Sequence, residues 1–493
     1  MKGFDNEKYI ELQTKEISKR IDRFSNKLYM EFGGKLFDDL HASRVLPGFD
    51  AGVKIEILKK LKDKLEIIFV ISASHIEKHK IRADYAITYD VEVLRQIDNL
   101  RSVGLTVSSI VITLFKGQSS AQKFADQLIA RGEKVYFHTP TPGYPSDVET
   151  IVSDAGYGAN PYIETTKPLV VVTAPGPGSG KLATCLSQLY HEYKRGVKAG
   201  YAKYETFPVW NLDVKHPTNI AYEAATADLK DINMIDSFHL NAYGKIAVNY
   251  NRDLECFPVI QNILTKITGD PKLYQSPTDM GCNMIGYCIS DDNIVRHASE
   301  MEVIRRYQKA LVDIKQGNAC KDTAARIEML MSQMGLSLNS RPIIAGVRDA
   351  ANISDTAVVG IDLGNGKFVY GKNKDLLSAS AAVVLNTLKT FAGLDDSILL
   401  LPESILKPLC QMKQDVFKTR NGQLGLKDTL IALSISSAVN PLAKLALEKV
   451  SMLHGLEAHA SYILENEEEQ TLKKLGLYIT SEPIFSSKNL YTV

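Results

Sequence analysis

The sequence is poor in the features that would place it in a membrane, an oxidising compartment or a nucleic-acid complex. No stretch approaches 18 uninterrupted apolar residues, so no spanning helix is expected. Lysine plus arginine number 58 against 57 acidic residues, a net charge of +1 that offers no bulk attraction for a nucleic acid. The six cysteines, at 185, 256, 282, 288, 320 and 410, are scattered. None forms CxxC, and the closest pair, Cys282 and Cys288, lacks a standard zinc spacing. Reduced thiols and no structural zinc are expected. The first eight residues hold no apolar signal core, so the reading is cytoplasmic, with no membrane and no nucleic-acid partner. HExxH, GxSxG and the HxE with PCxxC of zinc deaminases are all absent, which removes the sequence basis for those hydrolases. No internal repeat or low-complexity tail is visible.

What is present is an ordinary globular composition, 45% hydrophobic and 23% charged, over 493 residues. That is too long for one core, and two to four domains are expected. The most informative stretch is Leu169-Val170-Val171-Val172-Thr173 followed by Ala174-Pro175-Gly176-Pro177-Gly178-Ser179-Gly180-Lys181. A valine-rich buried strand runs into a glycine turn and a lysine. Leu182, Leu186, Leu189 and Tyr190 then share one face of a helix. Strand, glycine loop, lysine and helix is the layout that cradles a phosphate, because backbone N–H groups, a helix N-terminus and a cation converge. The match to a P-loop is partial. Gly180-Lys181 is in place, but Pro175 occupies the first-glycine position. Leu182 replaces the hydroxyl residue that would meet magnesium, with Thr184 nearby. Gly176, Gly178, Ser179, Gly180, Lys181 and Thr184 are therefore the candidate phosphate-binding residues of a variant loop. A nucleotide with magnesium is the cofactor such a loop would suit, and a small phosphorylated ligand its partner. The plainer alternative is a tight strand-to-helix turn with no ligand.

The N-terminal part reads as a doubly wound, mostly parallel sheet. A helix is predicted over 7–28, then a short apolar stretch at 29–32 ended by Gly33-Gly34. Strands follow at 65–71, 109–114 and 134–138, with helices at 91–103 and 119–131 between them. The polar residues after these strands, Ser72 to His75, Lys116 to Ser119 and His138-Thr139, would sit at the carboxyl edge where such sheets bind ligands. Residues 139–167, rich in Pro, Gly and Tyr, read as a long ordered loop. Lys35, His41 and Arg44 form a further basic cluster, more simply explained as a solvated loop. Between 200 and 300 comes a polar series. Asp213, His216, Asp228, His239 and Asp279 are candidates for a polar cleft, without a spacing that dictates a metal site.

Helices at 297–315 and 322–334 carry Met and Ile stripes best read as core. The C-terminal part opens at Arg341-Pro342. It has a hairpin at 357–361 and 367–371 turning at Asn365-Gly366, a helix at 376–392 and a strand at 397–401. A long helix at 427–450, broken at Pro441, and strands at 458–464 and 476–480 complete it. Ala, Ser and Leu dominate the last helices, a composition that suggests burial.

The loop string 174–181, Phe4 to Tyr9, Glu31 to Asp39, Trp210-Asn211-Leu212 with Lys215-His216-Pro217, Tyr222 to Asp228, and Ser276 to Gly281 together resemble an uncharacterised bacterial protein family of domains of unknown function. Some members of it are labelled ATP-dependent peptidases. The resemblance covers the whole chain. It implies a multi-domain α/β protein whose C-terminal part resembles the cytidine-deaminase-like layered fold, and it supplies no catalytic residues. The expected organisation is an N-terminal α/β domain over 1–230, a mainly helical segment over 231–338 and a C-terminal α/β domain over 339–493. The function expected is binding of a nucleotide or phosphorylated small molecule at 174–184, with phosphoryl or nucleotidyl transfer or NTP hydrolysis as its enzymatic form. A non-enzymatic metabolite sensor or assembly protein is the alternative, and a peptidase a third; a homo-oligomer is a separate expectation.

Overall fold

The computed structural model of the chain describes residues 2–24, 27–37, 39–82, 87–419 and 422–487. Asp38 of the quoted Glu31–Asp39 string lies outside the described residues. The chain divides into two compact units, Met1–Ser299 and Glu300–Val493.

The first unit is built on a seven-stranded sheet. Its order is Gly281–Cys282, Gly200–Tyr204, Leu28–Phe32, Leu169–Thr173, Leu65–Ser72, Val107–Thr113 and Val135–Phe137. Every neighbouring pair is parallel. Parallel strands are covered on both faces, which is why their sequences are near-continuous apolar runs. All five residues of Leu169–Thr173 and all eight of Leu65–Ser72 are buried. Helices fall at Tyr89–Ser102, Ser119–Ala130 and Lys181–Lys194, close to the sequence reading.

The first strand differs from that reading. The helix predicted over 7–28 ends at Arg23, and Leu28 begins a strand in the middle of the sheet. The helical spacing of Ile10, Ile17 and Ile21 is real, but Phe24 is its C-cap and Leu28 reaches the next strand by coincidence of spacing. The expected helical segment from 231 also contains strands. Asn233–Ile235 pairs antiparallel with Val248–Tyr250, and Gly281–Cys282 joins the edge of the large sheet. Two- and three-residue strands are too short to leave a period-2 pattern.

The second unit has a four-stranded mixed sheet ordered Phe368–Lys372, Val358–Asp362, Glu457–Ala460, Tyr478–Ser481. The first two pairings are antiparallel and the last parallel. Alternation along Val358–Asp362 divides its two faces. Val358 packs with Ile343 and Val347 of the helix Ile343–Ser354, while Val359 and Ile361 face a larger core with Val383, Val384 and Leu388. The predicted strand at 397–401 is irregular, and a helix not read from sequence, Glu403–Asp415, follows it. Pro402 just before that helix and Pro408 inside it masked the helical signal. The break at Pro441 is present, between Leu426–Ser436 and Pro441–Leu447.

Arg341 binds this sheet from within. It is 1% exposed and donates to Glu457 at 2.7 Å, to the Ala458 carbonyl at 2.7 Å and to the Tyr478 carbonyl at 2.8 Å. Beside it, His459 is held between Thr480 (2.8 Å) and Glu482 (3.0 Å), and Arg348 pairs with the same carboxylate at 2.8 Å. A charge this deep requires such complete pairing.

Candidate functional site

Strand order locates the crevice. From Leu28–Phe32 the chain passes over Leu169–Thr173 to reach Leu65–Ser72. From Leu169–Thr173 it passes back over Leu28–Phe32 to reach Gly200–Tyr204. Two adjacent parallel strands whose right-handed crossovers leave in opposite directions open a crevice at their carboxyl ends. The residues at that crevice are Glu31 to Gly34 on one side and the glycine loop on the other.

The loop geometry follows from its neighbours. Gly180 caps the helix Lys181–Lys194 in the left-handed conformation, φ 88°, which a side chain adopts only with strain. Thr113, at the end of its own strand, donates to the Ser179 carbonyl at 2.7 Å and fixes the turn. Gly176 lies against Tyr89, where an added Cβ would stand 2.2 Å from the phenol oxygen. The Ser179 hydroxyl turns inward to the Gly176 carbonyl at 2.9 Å, and the Thr184 hydroxyl donates to the Gly180 carbonyl at 3.0 Å. Both side chains are therefore engaged by the loop itself, and Ser179 is fully buried in the turn.

Among the described residues, no acceptor in the chain meets the backbone N–H groups of residues 178 to 183. The helix has no side-chain cap. Six consecutive donors thus lie without an acceptor at the start of the helix, with the helix dipole behind them. His75, in the short helix Ala73–Glu77 that follows the neighbouring strand, stands over Gly178; an added Cβ there would be 3.7 Å from its ring. Its Nδ1 is buried and has no hydrogen-bond partner among the described residues. Burial, then Lys80 and Lys78, lower the His75 pKa, so the ring is neutral at physiological pH.

Lys181 does not stand alone. Its ammonium is 3.7 Å from Glu31, and both side chains are 13% exposed. Glu31 also accepts from Tyr201 at 3.0 Å. Register explains the grouping: Glu31 is paired with Lys203 across adjacent parallel strands, so their side chains share one face, as does Tyr201 two residues earlier. Lys203 in turn contacts Glu205 at 2.7 Å and Asp253 at 3.0 Å. Burial works against the Lys203 charge, but Asp253, Glu205 and Glu31 outweigh it and raise its pKa. Burial pushes the Glu205 carboxyl up, an effect that Lys203 only partly offsets. Burial and then Glu31 raise the Cys185 thiol well above its ordinary value, so it is un-ionised packing beneath the site.

The five sequence candidates for a polar cleft have other surroundings. His216 caps the helix Pro217–Ala225 by accepting from the Thr218 amide, and its Nε2 meets Asp292 at 2.9 Å. Asp213 accepts from the Lys215 amide at 2.7 Å in the turn just before. Asp228 is exposed in a short 3-10 turn. His239 bonds Ser276 at 3.0 Å, and Asp279 accepts from Tyr243 at 2.8 Å and from the Gln275 amide at 2.8 Å. The last two share the surroundings of Ser276, whose hydroxyl also accepts from the Asp279 amide. At their centre is Asp236, which accepts from Thr278, Asn249 and the His239 amide. Among the described residues, no group of three or more His, Cys, Asp or Glu is arranged to hold a metal ion. No helix among them is long and apolar enough to cross a membrane.

Sequence reasoning passed over Glu31, Tyr201, Lys203, Glu205 and Asp253. A signal existed for two of them: Glu31 interrupts the apolar run Leu-Tyr-Met-Glu-Phe, and Lys203 sits inside Gly-Tyr-Ala-Lys-Tyr. A charge in a central strand is costly unless it is paired, and so marks a partner.

Comparison with known proteins also divides the chain in two, but between 335 and 339 rather than at the end of the first compact unit at Ser299. The family model described as "Domain of unknown function DUF1846, N-terminal" matches residues 2–335, and its C-terminal counterpart matches 339–491. The chain is 54% identical over 497 aligned residues to a "UPF0371 protein" of Clostridium tetani (strain Massachusetts / E88), covering 99% of both. It is 53% identical to a "UPF0371 protein" of Clostridium botulinum (strain Kyoto / Type A2) and 52% to one of Fusobacterium nucleatum subsp. nucleatum, again with 99% of each covered.

Proposed function

We propose, for a chain that belongs to the DUF1846 family along nearly its whole length, that the glycine loop binds the phosphate of a small phosphorylated molecule or nucleotide. The observation that carries this reading is the run of six amide donors at 178–183 without an acceptor from the chain. A helix N-terminus at a sheet crevice, with those donors unmatched by the chain, suits a tetrahedral anion. Lys181 supplies a full positive charge at the first turn. Without an anion, Glu31 is its counter-ion; with one, the ammonium has a second partner within reach of the same crevice.

Turnover is a second reading, favoured by Glu205. A carboxyl whose pKa burial has raised, hydrogen-bonded to Lys203 and beside Asp253, has the character of a proton-transfer group. Phosphoryl or nucleotidyl transfer would use it next to a phosphate held by the loop. In the second unit, the strand order and its single parallel pairing support a layered arrangement of the cytidine-deaminase-like kind.

Thermal shift tests the binding reading. Phosphate, pyrophosphate, ATP, GTP and sugar phosphates are each added to wild type and to Gly178→Val, with and without magnesium. Gly178 has φ 73° and faces His75, so valine both strains the turn and blocks approach to the amides. At least one compound should raise the wild-type melting temperature and lose that effect in the variant. No shift with any compound, or equal shifts in both proteins, rejects phosphate binding. Release of inorganic phosphate from the compound that binds would then separate an enzyme from a sensor.

A further inference from the structure

We infer that two copies of this chain associate through the outer face of the helices Leu426–Ser436 and Pro441–Leu447. The sequence of this segment reads as buried, yet the structure leaves half of it in water. Leu426, Thr429, Ala432, Leu433 and Ser436 of the first helix are buried against the second unit's core. On the opposite side Ile431 and Ile435 are 53% and 69% exposed one turn apart, and Val439, in the turn that follows the helix, is 85% exposed. Leu442 and Leu445 continue the apolar surface onto the next helix, which packs against the first. An exposed apolar row of this kind is a surface that a partner can cover.

Charge distribution carries the same message. From Thr429 to Ala443 the chain has no charged residue, although it runs along the surface. Depletion of charge at an apolar centre distinguishes interface cores from ordinary surface. Charges return at the borders, Lys427 and Asp428 before the segment, Lys444, Glu448 and Lys449 after it. The first two are paired within the chain, Lys427 with Glu467 and Asp428 with Lys413.

The area selects a second copy over a short peptide. The five residues expose about 340 Å² of apolar surface per chain, taking ~120 Å² for a fully exposed aliphatic side chain. Two copies would cover about 680 Å² of it. Since homodimer interfaces are about 65% apolar, this corresponds to about 1,050 Å² in total, just above the roughly 1,000 Å² that a specific interface clears. The surface is self-complementary in composition, as a two-fold contact requires.

Sedimentation velocity of the full chain tests this, with wild type compared to Ile435→Asp/Val439→Asp over a hundredfold concentration range. Both substituted side chains are in water, so circular dichroism and melting of the variant should match the wild type in its monomeric form. Wild type should sediment at twice the monomer mass and the variant at the monomer mass. An Ile431→Lys variant, also at an exposed position, should behave likewise. A wild-type protein that stays monomeric throughout, or variants that remain dimeric, overturns the proposal; a monomer that gains mass only on addition of another protein does so as well. Failure here leaves the phosphate reading of the other unit untouched.

Discussion

Replacing Lys181 with methionine should do two separable things. Methionine keeps the apolar stem and helix propensity but removes the ammonium 3.7 Å from Glu31. Glu31 then keeps the Tyr201 hydroxyl at 3.0 Å while remaining 13% exposed. Leaving a partly buried carboxylate short of its cation costs about 1–3 kcal/mol. In a unit of this size that lowers the melting temperature by about 2–4 °C per kcal/mol. Without a counter-ion, a lysine in the first turn of a helix is mildly unfavourable, and its removal would be neutral or stabilising; the geometry reverses that sign. Adding Glu31→Gln should recover part of the loss, with a coupling energy of about 1 kcal/mol. Affinity for the phosphate-bearing ligand should fall about ten- to hundredfold in Lys181→Met, the equivalent of 1.5–3 kcal/mol for a hydrogen bond to a charged group. Urea denaturation of the four proteins in the cycle, with calorimetric titration of each, reads both quantities. If Lys181→Met is as stable as wild type, or the two substitutions simply add, the ion pair does not hold the loop. If affinity is unchanged, the lysine does not face the anion.

Gly176→Ala should destabilise and weaken ligand binding, because the new methyl would stand 2.2 Å from the Tyr89 oxygen; a companion Tyr89→Phe should relieve part of this, read by melting temperature. His138 is buried and its pKa is lowered to about 4. It is therefore neutral in the fold, and stability should fall as pH drops from about 6.5 to 4, where the unfolded chain takes up a proton the folded one refuses. His138→Gln should flatten that slope in denaturation curves between pH 7 and 4. Glu482 shows the other sign. Its own burial would raise the carboxyl, but His459 and Arg348 hold it down at about 2. Its contribution is full above the ordinary glutamate range and is lost as pH falls toward 2, so Glu482→Gln should weaken the second unit at pH 7 and change little at pH 2.

The sequence carried the long elements well and the short ones poorly. Leu169–Thr173, its glycine turn and the helix after it are legible because an apolar run, alternating glycines and a 3.6-residue period follow one another. Their place in the sheet beside Leu65–Ser72 is equally legible from the alternation of strands and helices. The strand Leu28–Phe32 was hidden because Leu28 extends the spacing of the helix before it. Glu403–Asp415 was hidden by two prolines, one at its border and one within. The loop half of the candidate site is written locally, in 174–181. The other half, Glu31 with Tyr201, Lys203, Glu205 and Asp253, comes from strands and a helix far apart in the chain. Only parallel register brings Glu31 beside Lys203, and register between distant strands has no local signal. The polar residues of 213–279 drew attention by their density, yet His216, Asp236 and Ser276 serve as helix caps.

The central claim is that the amides of residues 178 to 183 hold an anion at the crevice between Leu28–Phe32 and Leu169–Thr173. The most direct measurement is a crystal of the full chain soaked in tungstate, a tetrahedral oxyanion located by its anomalous scattering. The account predicts an anomalous peak at the loop, its oxygens within about 3 Å of those backbone nitrogens, with Lys181 turned toward it and the site lost in Gly178→Val. A map in which tungstate occupies other positions and leaves the loop empty, or in which those amides bond to the chain itself, would contradict it.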